Sequence, residues 1–255
     1  MIKKCSLLIA LLMLAGLFYL LLSPVPISPV AWQVPDNPGY KGHYQVNSKL
    51  SDLEYLDIAP YTGPEDLVMD SEGWLYISVH EGKILKMKPG TGKPEVFVGQ
   101  LGRPLGLALD KDENLIIADA YKGLLKATRD GTLSTLLDKV EDEPLVYANN
   151  LDIDRQGRIY FSEASSKFGA QANGGSYPAS LLDLMEHGGH GRLFRLDPAS
   201  GEVTTLMQGL NFANGVALAH DEQSLLHFWS SLESLDGLTT LTRRFGSLTG
   251  NSVRA

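Results

Sequence analysis

The sequence predicts an all-β fold, a β-propeller of about three and a half blades, behind an N-terminal transmembrane helix. Three observations predict it. Four stretches share one pattern, a short apolar strand, a polar turn and a second apolar strand, and they open on Glu65, Leu105, Asn149 and Asn214. The intervals from Glu65 to Leu105 and from Leu105 to Asn149 match the roughly 40–45-residue, four-strand blade of propeller repeats. No long run of helical period follows the N-terminus, whereas a parallel α/β chain needs helices between its strands. A β-sandwich also uses short strands, but it does not repeat a unit with one equivalent polar position.

The first 22 residues form the first element. Lys3 and Lys4 precede an uncharged apolar run, Cys5 to Leu22. That length reaches the roughly 17–25 residues that cross a bilayer, and it exceeds the usual signal-peptide core of about 7–15 residues. A single-pass signal anchor is favoured over a cleaved signal. The two lysines place the N-terminus in the cytoplasm and the propeller on the non-cytoplasmic side. Cys5 is the sole cysteine, so no intramolecular disulfide forms. Residues 23–47 carry Pro24, Pro26, Pro29, Pro35 and Pro38. Proline lacks a donor and fixes φ, which predicts an extended spacer.

Residues 48–226 are expected to hold the propeller. Blade one reads as strands at 66–69, 74–78, 83–88 and 95–98, and blade two as 106–109, 115–118, 124–128 and 133–137. Blade three reads as 151–153, 159–162, 192–196 and 203–207, interrupted by an insertion at 164–191 with a short helical turn near 181–185. The interval from Asn149 to Asn214 becomes a normal blade once that insertion is set aside. Insertions in repeat proteins fall on one face, often the binding face. This one is expected to pass over the mouth of the central channel.

The repeat assembles chemistry. Equivalent positions of successive blades ring one axis, so Glu65, Asn149 and Asn214 are gathered around it, with Leu105 the apolar exception. One carboxylate and two amides are hard oxygen donors of the type that calcium takes. Formal net charge is -8, which argues against nucleic acid as a partner. His187 and His190 lie in a glycine-rich loop and lack a third ligand, so a plain loop is favoured over a metal site. Asp119, Tyr121 and Lys122 are either pocket residues or a solvated turn.

Gly63-Pro-Glu-Asp, Gly102-Arg-Pro-Leu-Gly-Leu, Tyr147-Ala-Asn-Asn-Leu-Asp, Phe161-Ser-Glu-Ala-Ser-Ser-Lys-Phe and Phe212-Ala-Asn-Gly-Val together resemble the strictosidine synthase-like family. More distantly they resemble the paraoxonases and the regucalcin/gluconolactonase group. The resemblance implies a six-bladed propeller with calcium in its tunnel, held by a Glu of the first blade, Asn residues of the middle blades and a later Asp. By motif, Glu65, Asn149 and Asn214 are the metal ligands, and Glu65 and Asn149 are also the expected catalytic residues.

The implied function is a membrane-anchored, calcium-dependent hydrolase of small-molecule esters or lactones. The alternatives are a strictosidine synthase-like condensing enzyme, whose late Glu acid/base has no counterpart here, and a truncated, non-catalytic scaffold. Leu105 stands where paraoxonases place a proton-transferring histidine, so that mechanism does not carry over. After Leu226 the blade pattern is lost. Residues 227–255 are expected to be a divergent tail of a truncated product, a frame shift after Leu226 being one source of it.

Overall fold

The computed structural model describes residues 2–33, 39–42, 45–222, 224–229 and 238–241. Helix α1, Ile2–Leu22, is the apolar N-terminal segment. Its window Cys5–Leu22 is long and apolar enough to cross a membrane, and none of it is buried against the rest of the chain.

The β-strands fall into sequential antiparallel sheets, each one blade. Blade one holds β1 Leu67–Met69, β2 Leu75–Val79, β3 Lys83–Lys88 and β4 Thr91–Val98. Blade two holds β5 Pro104–Leu109, β6 Leu115–Asp119, β7 Gly123–Ala127 and β8 Leu133–Leu137, followed by a small hairpin of β9 Lys139–Val140 and β10 Glu143–Pro144. Blade three holds β11 Ala148–Ile153, β12 Ile159–Glu163, β13 Gly191–Asp197 and β14 Glu202–Leu210, with helix α2, Ser176–Glu186, between β12 and β13. Blade four holds β15 Ala213–Leu218, β16 Leu225–Trp229 and β17 Leu238–Leu241. Strand β16 therefore runs across the 226/227 boundary drawn from the sequence, and β17 pairs with it. The remainder of the expected tail lies outside the described residues.

The second strands of blades one to three are mostly apolar because both of their faces are covered, and the polar residues in them are buried too. β2, β6 and β12 are buried at every position, which a strand sandwiched between layers requires. An apolar cluster fills each space between blades. Tyr76, Ile84, Leu107 and Ile117 lie between blades one and two. Ile116, Leu124, Leu151 and Phe161 lie between two and three. Tyr160, Leu193, Val216 and Leu225 lie between three and four.

The turns after the innermost strands of blades one to three share one construction. Asp70, Asp110 and Asp154 each accept backbone amides two and four residues on, at 2.8–3.0 Å. An aspartate suits this role because its short carboxylate mimics a backbone acceptor.

Two segments depart from expectation. α2 has 11 residues rather than one turn, because Ala179, Asp183 and Glu186 supply a buried face at helical spacing; His187, left-handed at φ 56°, ends it. The proline-rich segment is not a free spacer over its first part. Ser28 N donates to Glu186 Oε2 at 2.7 Å, Val30 N donates to the Glu186 carbonyl at 2.8 Å, and Trp32 stacks on His187 at 5.0 Å. Its backbone donors and an aromatic ring found partners on α2 that composition does not reveal.

Candidate functional site

The innermost strands β5, β11 and β15 share one irregularity. Pairing with the second strand breaks register between Pro104 and Leu107, between Ala148 and Leu151, and between Ala213 and Val216. Each break spans the repeat position and the residue after it: Leu105–Gly106, Asn149–Asn150 and Asn214–Gly215. A β-bulge sets two residues against one and re-aims their side chains. In blade one the pair Glu65–Asp66 precedes β1 and is tied to the second strand through Glu65 N to Ser78 O at 3.2 Å and Ser78 N to Asp66 O at 3.1 Å.

In blades one and three the second residue of the pair stitches blade to blade. Asp66 Oδ2 accepts from Leu107 N at 2.9 Å, and Asn150 Oδ1 accepts from Val216 N at 2.9 Å. Asn150 Nδ2 also reaches Asp66 Oδ2 at 3.5 Å, past blade two. Gly106 makes room for this: a β-carbon there would stand 2.6 Å from Asn150 Cα. Ser78 and Ser162 complete the stitch, donating to the carbonyls of Leu105 at 2.7 Å and Asn214 at 2.6 Å in the next blade. These residues were missed in the sequence. Their signal was visible as Asp66, Gly106, Asn150 and Gly215, one step after the repeat position.

The first residue of each pair is the expected site. Glu65 has a side chain 45% exposed, and Arg103 Nη2 lies 3.4 Å from its Oε2. The Arg103 guanidinium is buried and also donates to the carbonyls of Pro104 and Gly63. Asn149 is buried and Asn214 half-buried. Leu105 is no gap in the design: it joins Tyr147, Phe168, Ala179 and Phe212 in the cluster that seats the insertion. Tyr147 donates to the Ser176 carbonyl at the start of α2. Burial, with the nearby Glu65 charge adding to it, pushes the Tyr147 phenol well above its ordinary range. The insertion thus folds over the end of the strands that carries Glu65 and Asn149.

The other candidates separate. Asp119 is not a solvated turn: it is fully buried, and its carboxylate accepts the amides of Gly102, Arg103, Tyr121 and Lys122 at 2.8–3.2 Å. It fixes the approach to β5 and so places Arg103. Glu163, at the same place in blade three, accepts Val146 N and Arg192 Nε. Burial raises its pKa although Arg192 opposes the shift. His187 and His190 do not converge on one centre. His190 bonds Glu186 at 2.7 Å, and His187 meets Asn211 at 2.9 Å. Among the described residues no three His, Cys, Asp or Glu side chains group as metal ligands. A metal at the repeat positions would rest on one carboxylate and amide oxygens, and such oxygens suit calcium rather than a softer ion.

Comparison with known proteins decides the family. Residues 42–87 match the N-terminal strictosidine synthase-like family and residues 149–233 match strictosidine synthase. The chain belongs to the strictosidine synthase-like family. An adipocyte plasma membrane-associated protein of Salmo salar is 32% identical over 236 residues, which is 85% of this chain and 54% of that one. Strictosidine synthase-like protein 13 of Arabidopsis thaliana is 35% identical over 188 residues, 69% of this chain and 45% of that one. The chain thus spans about half the length of these strictosidine synthase-like relatives. Two solved structures share the fold: a gluconolactonase of Xanthomonas campestris, with TM-score 0.55, 21% identity and coverage of 69% of this chain and 56% of that one, and regucalcin of Agrobacterium tumefaciens, a calcium-binding protein, with TM-score 0.50, 18% identity and coverage of 67% and 52%.

Proposed function

We propose that this strictosidine synthase-like chain is a membrane-anchored, calcium-dependent hydrolase of small-molecule esters or lactones. The supporting observation is the bulge that recurs at Leu105, Asn149 and Asn214 in adjacent innermost strands, with Glu65 at the same place in blade one. Calcium there would be held by Glu65, Asn149 and Asn214, and when bound it supplies a Lewis acid for a carbonyl oxygen. Glu65 and Asn149 are in this reading the residues nearest the chemistry. Arg103 orients the Glu65 carboxylate from one side, while Asp119 fixes the backbone that carries Arg103. The buried cluster of Leu105, Tyr147 and Phe212 holds the insertion and its helix α2 against the strands that carry Glu65 and Asn149. The anchor is α1, with the propeller on the non-cytoplasmic side.

The test is calcium titration by calorimetry together with aryl ester and lactone assays on the full chain. Glu65→Gln is expected to weaken calcium binding at least ten-fold and to lower hydrolysis in parallel. Hydrolysis that is indifferent both to chelator and to Glu65→Gln overturns the reading.

A further inference from the structure

Helix α2 wears its polarity inside out. Tyr177, Leu181 and Met185 recur every fourth residue, and they are 71%, 41% and 61% exposed. Pro178 is the other exposed position, so no exposed residue of the helix is charged. Its two acids, Asp183 and Glu186, are buried instead. Lys167 Nζ and His190 Nε2 hold the Glu186 carboxylate, while Ser165, His190 and the Phe212 backbone face Asp183. A helix on a water-facing surface shows the opposite arrangement, charge outward and apolar stripe inward.

A second, independent observation ties this helix to the membrane anchor. The segment that follows α1 docks on the C-terminal end of α2. Ile27 packs against the cluster beneath the helix, Ser28 N bonds the Glu186 carboxylate, Val30 N bonds the Glu186 carbonyl, and Trp32 stacks on His187. From Leu22, the last residue of α1, to Ser28 the chain extends about 20 Å at most. The polar layer of a bilayer leaflet is about 5–7 Å deep. A helix tethered this closely to the end of a membrane span has the lipid–water interface within reach.

We propose that α2 and the docked segment form a membrane-contacting surface, with Tyr177, Leu181 and Met185 seated at the boundary of headgroups and acyl chains. The proposal rests on the reading of α1 as a membrane anchor. Uncharged apolar side chains with a tyrosine at one end have the composition that partitions into this layer. Val25 and Val30, 71% and 53% exposed on the tether, extend the same apolar surface.

Cys5 is the chain's sole cysteine, so single labels are simple to place. In a Cys5→Ser background the full chain is reconstituted into phosphatidylcholine vesicles with Met185→Cys carrying an environment-sensitive fluorophore. Lys111→Cys, in the turn beyond the far end of β5, is the control. The label at 185 is expected to be quenched several-fold more by brominated acyl chains than the label at 111, and several-fold less by aqueous iodide. Co-flotation with the vesicles is scored in the same samples. A chain that floats but shows equal iodide quenching at both positions overturns the surface while leaving the anchor intact. A chain that does not float overturns both. Protection at 185 that follows the protein-to-lipid ratio assigns the stripe to a second copy of the chain and also overturns the proposal. Leu181→Glu is expected to raise iodide quenching at 185 without changing flotation.

Discussion

Gly106 has no room for a β-carbon. One placed there would meet Asn150 Cα at 2.6 Å and the Asn149 carbonyl at 2.9 Å, and backbone cannot rotate away as a side-chain tip can. Gly106→Ala is expected to lower the urea midpoint by an equivalent of about 1–3 kcal/mol. Because the displaced backbone carries Asn149, it is also expected to weaken calcium binding in the proposed site. Asp66, the partner in this stitch, has its pKa raised above the ordinary 3.8; burial is the largest cause, and the amides of Leu107 and Leu67 oppose it. A carboxyl with a raised folded pKa contributes stability that is full below its unfolded value and is lost as pH rises through the folded one. The stability of the wild type relative to Asp66→Asn should therefore fall as pH climbs from 3.8, which paired urea titrations would read. The repeat position itself was legible in the sequence, since its spacing marks it. The Asp, Gly or Asn one step on was visible too, but its role was not, because a regular strand would point that residue away from the axis and only the bulge changes this.

At the scale of elements, α2 and the segment docked on it depend on one carboxylate. Burial works against ionisation of Glu186, but Lys167, the Ser28 amide and His190 outweigh it and hold the pKa down to about 2. A depressed folded pKa contributes stability above the unfolded value of 4.5, and that stability is lost as pH falls toward 2. Acid should therefore release the segment from α2 within this window. Trp32 emission would report it, with Trp32→Phe as the control; a Trp32 signal flat from pH 4.5 to 2 contradicts this account. Glu186→Gln should release the segment at neutral pH. Turns are coupled across blades in a similar way. Glu113 and Glu222 occupy equivalent turn positions, both at positive φ, and accept the amides of Ser71 and Arg155 in the preceding blade at 2.9 and 3.2 Å. A non-glycine residue held at positive φ is strained, and here the inter-blade bond offsets the strain. The polar turns between strands were legible because turn chemistry is local. The docking of the linker was not: proline content predicts an extended chain and gives no information about what it lies against.

At the scale of the molecule, apolar clusters between blades supply the core, and a propeller built this way needs every blade face covered. The outer face of blade one, formed by Leu75, Ile77, Val79, Leu85 and Met87, is packed by Ile58 and Tyr61 from the chain preceding it. Ile58→Ala with Tyr61→Ala should uncover that face. The double variant is expected to lose about 1 kcal/mol per half-buried side chain and to bind more anilinonaphthalene sulfonate. Unchanged dye binding would show that the segment does not shield the blade.

The sequence by itself determined the blade, its length and its order. Alternation, turn residues and repeat spacing are properties of neighbouring residues, and the apolar N-terminal run is a property of composition. It also pointed to Glu65, Asn149 and Asn214 as equivalent places. Tertiary structure alone decided how those places are built: the bulges at Leu105, Asn149 and Asn214, the guanidinium of Arg103 beside Glu65, and the exposure of the apolar stripe on α2. Each of these depends on contacts between residues far apart in the chain, such as Ser28 with Glu186 or Asp66 with Asn150. No local pattern encodes which distant partner a buried polar group will find.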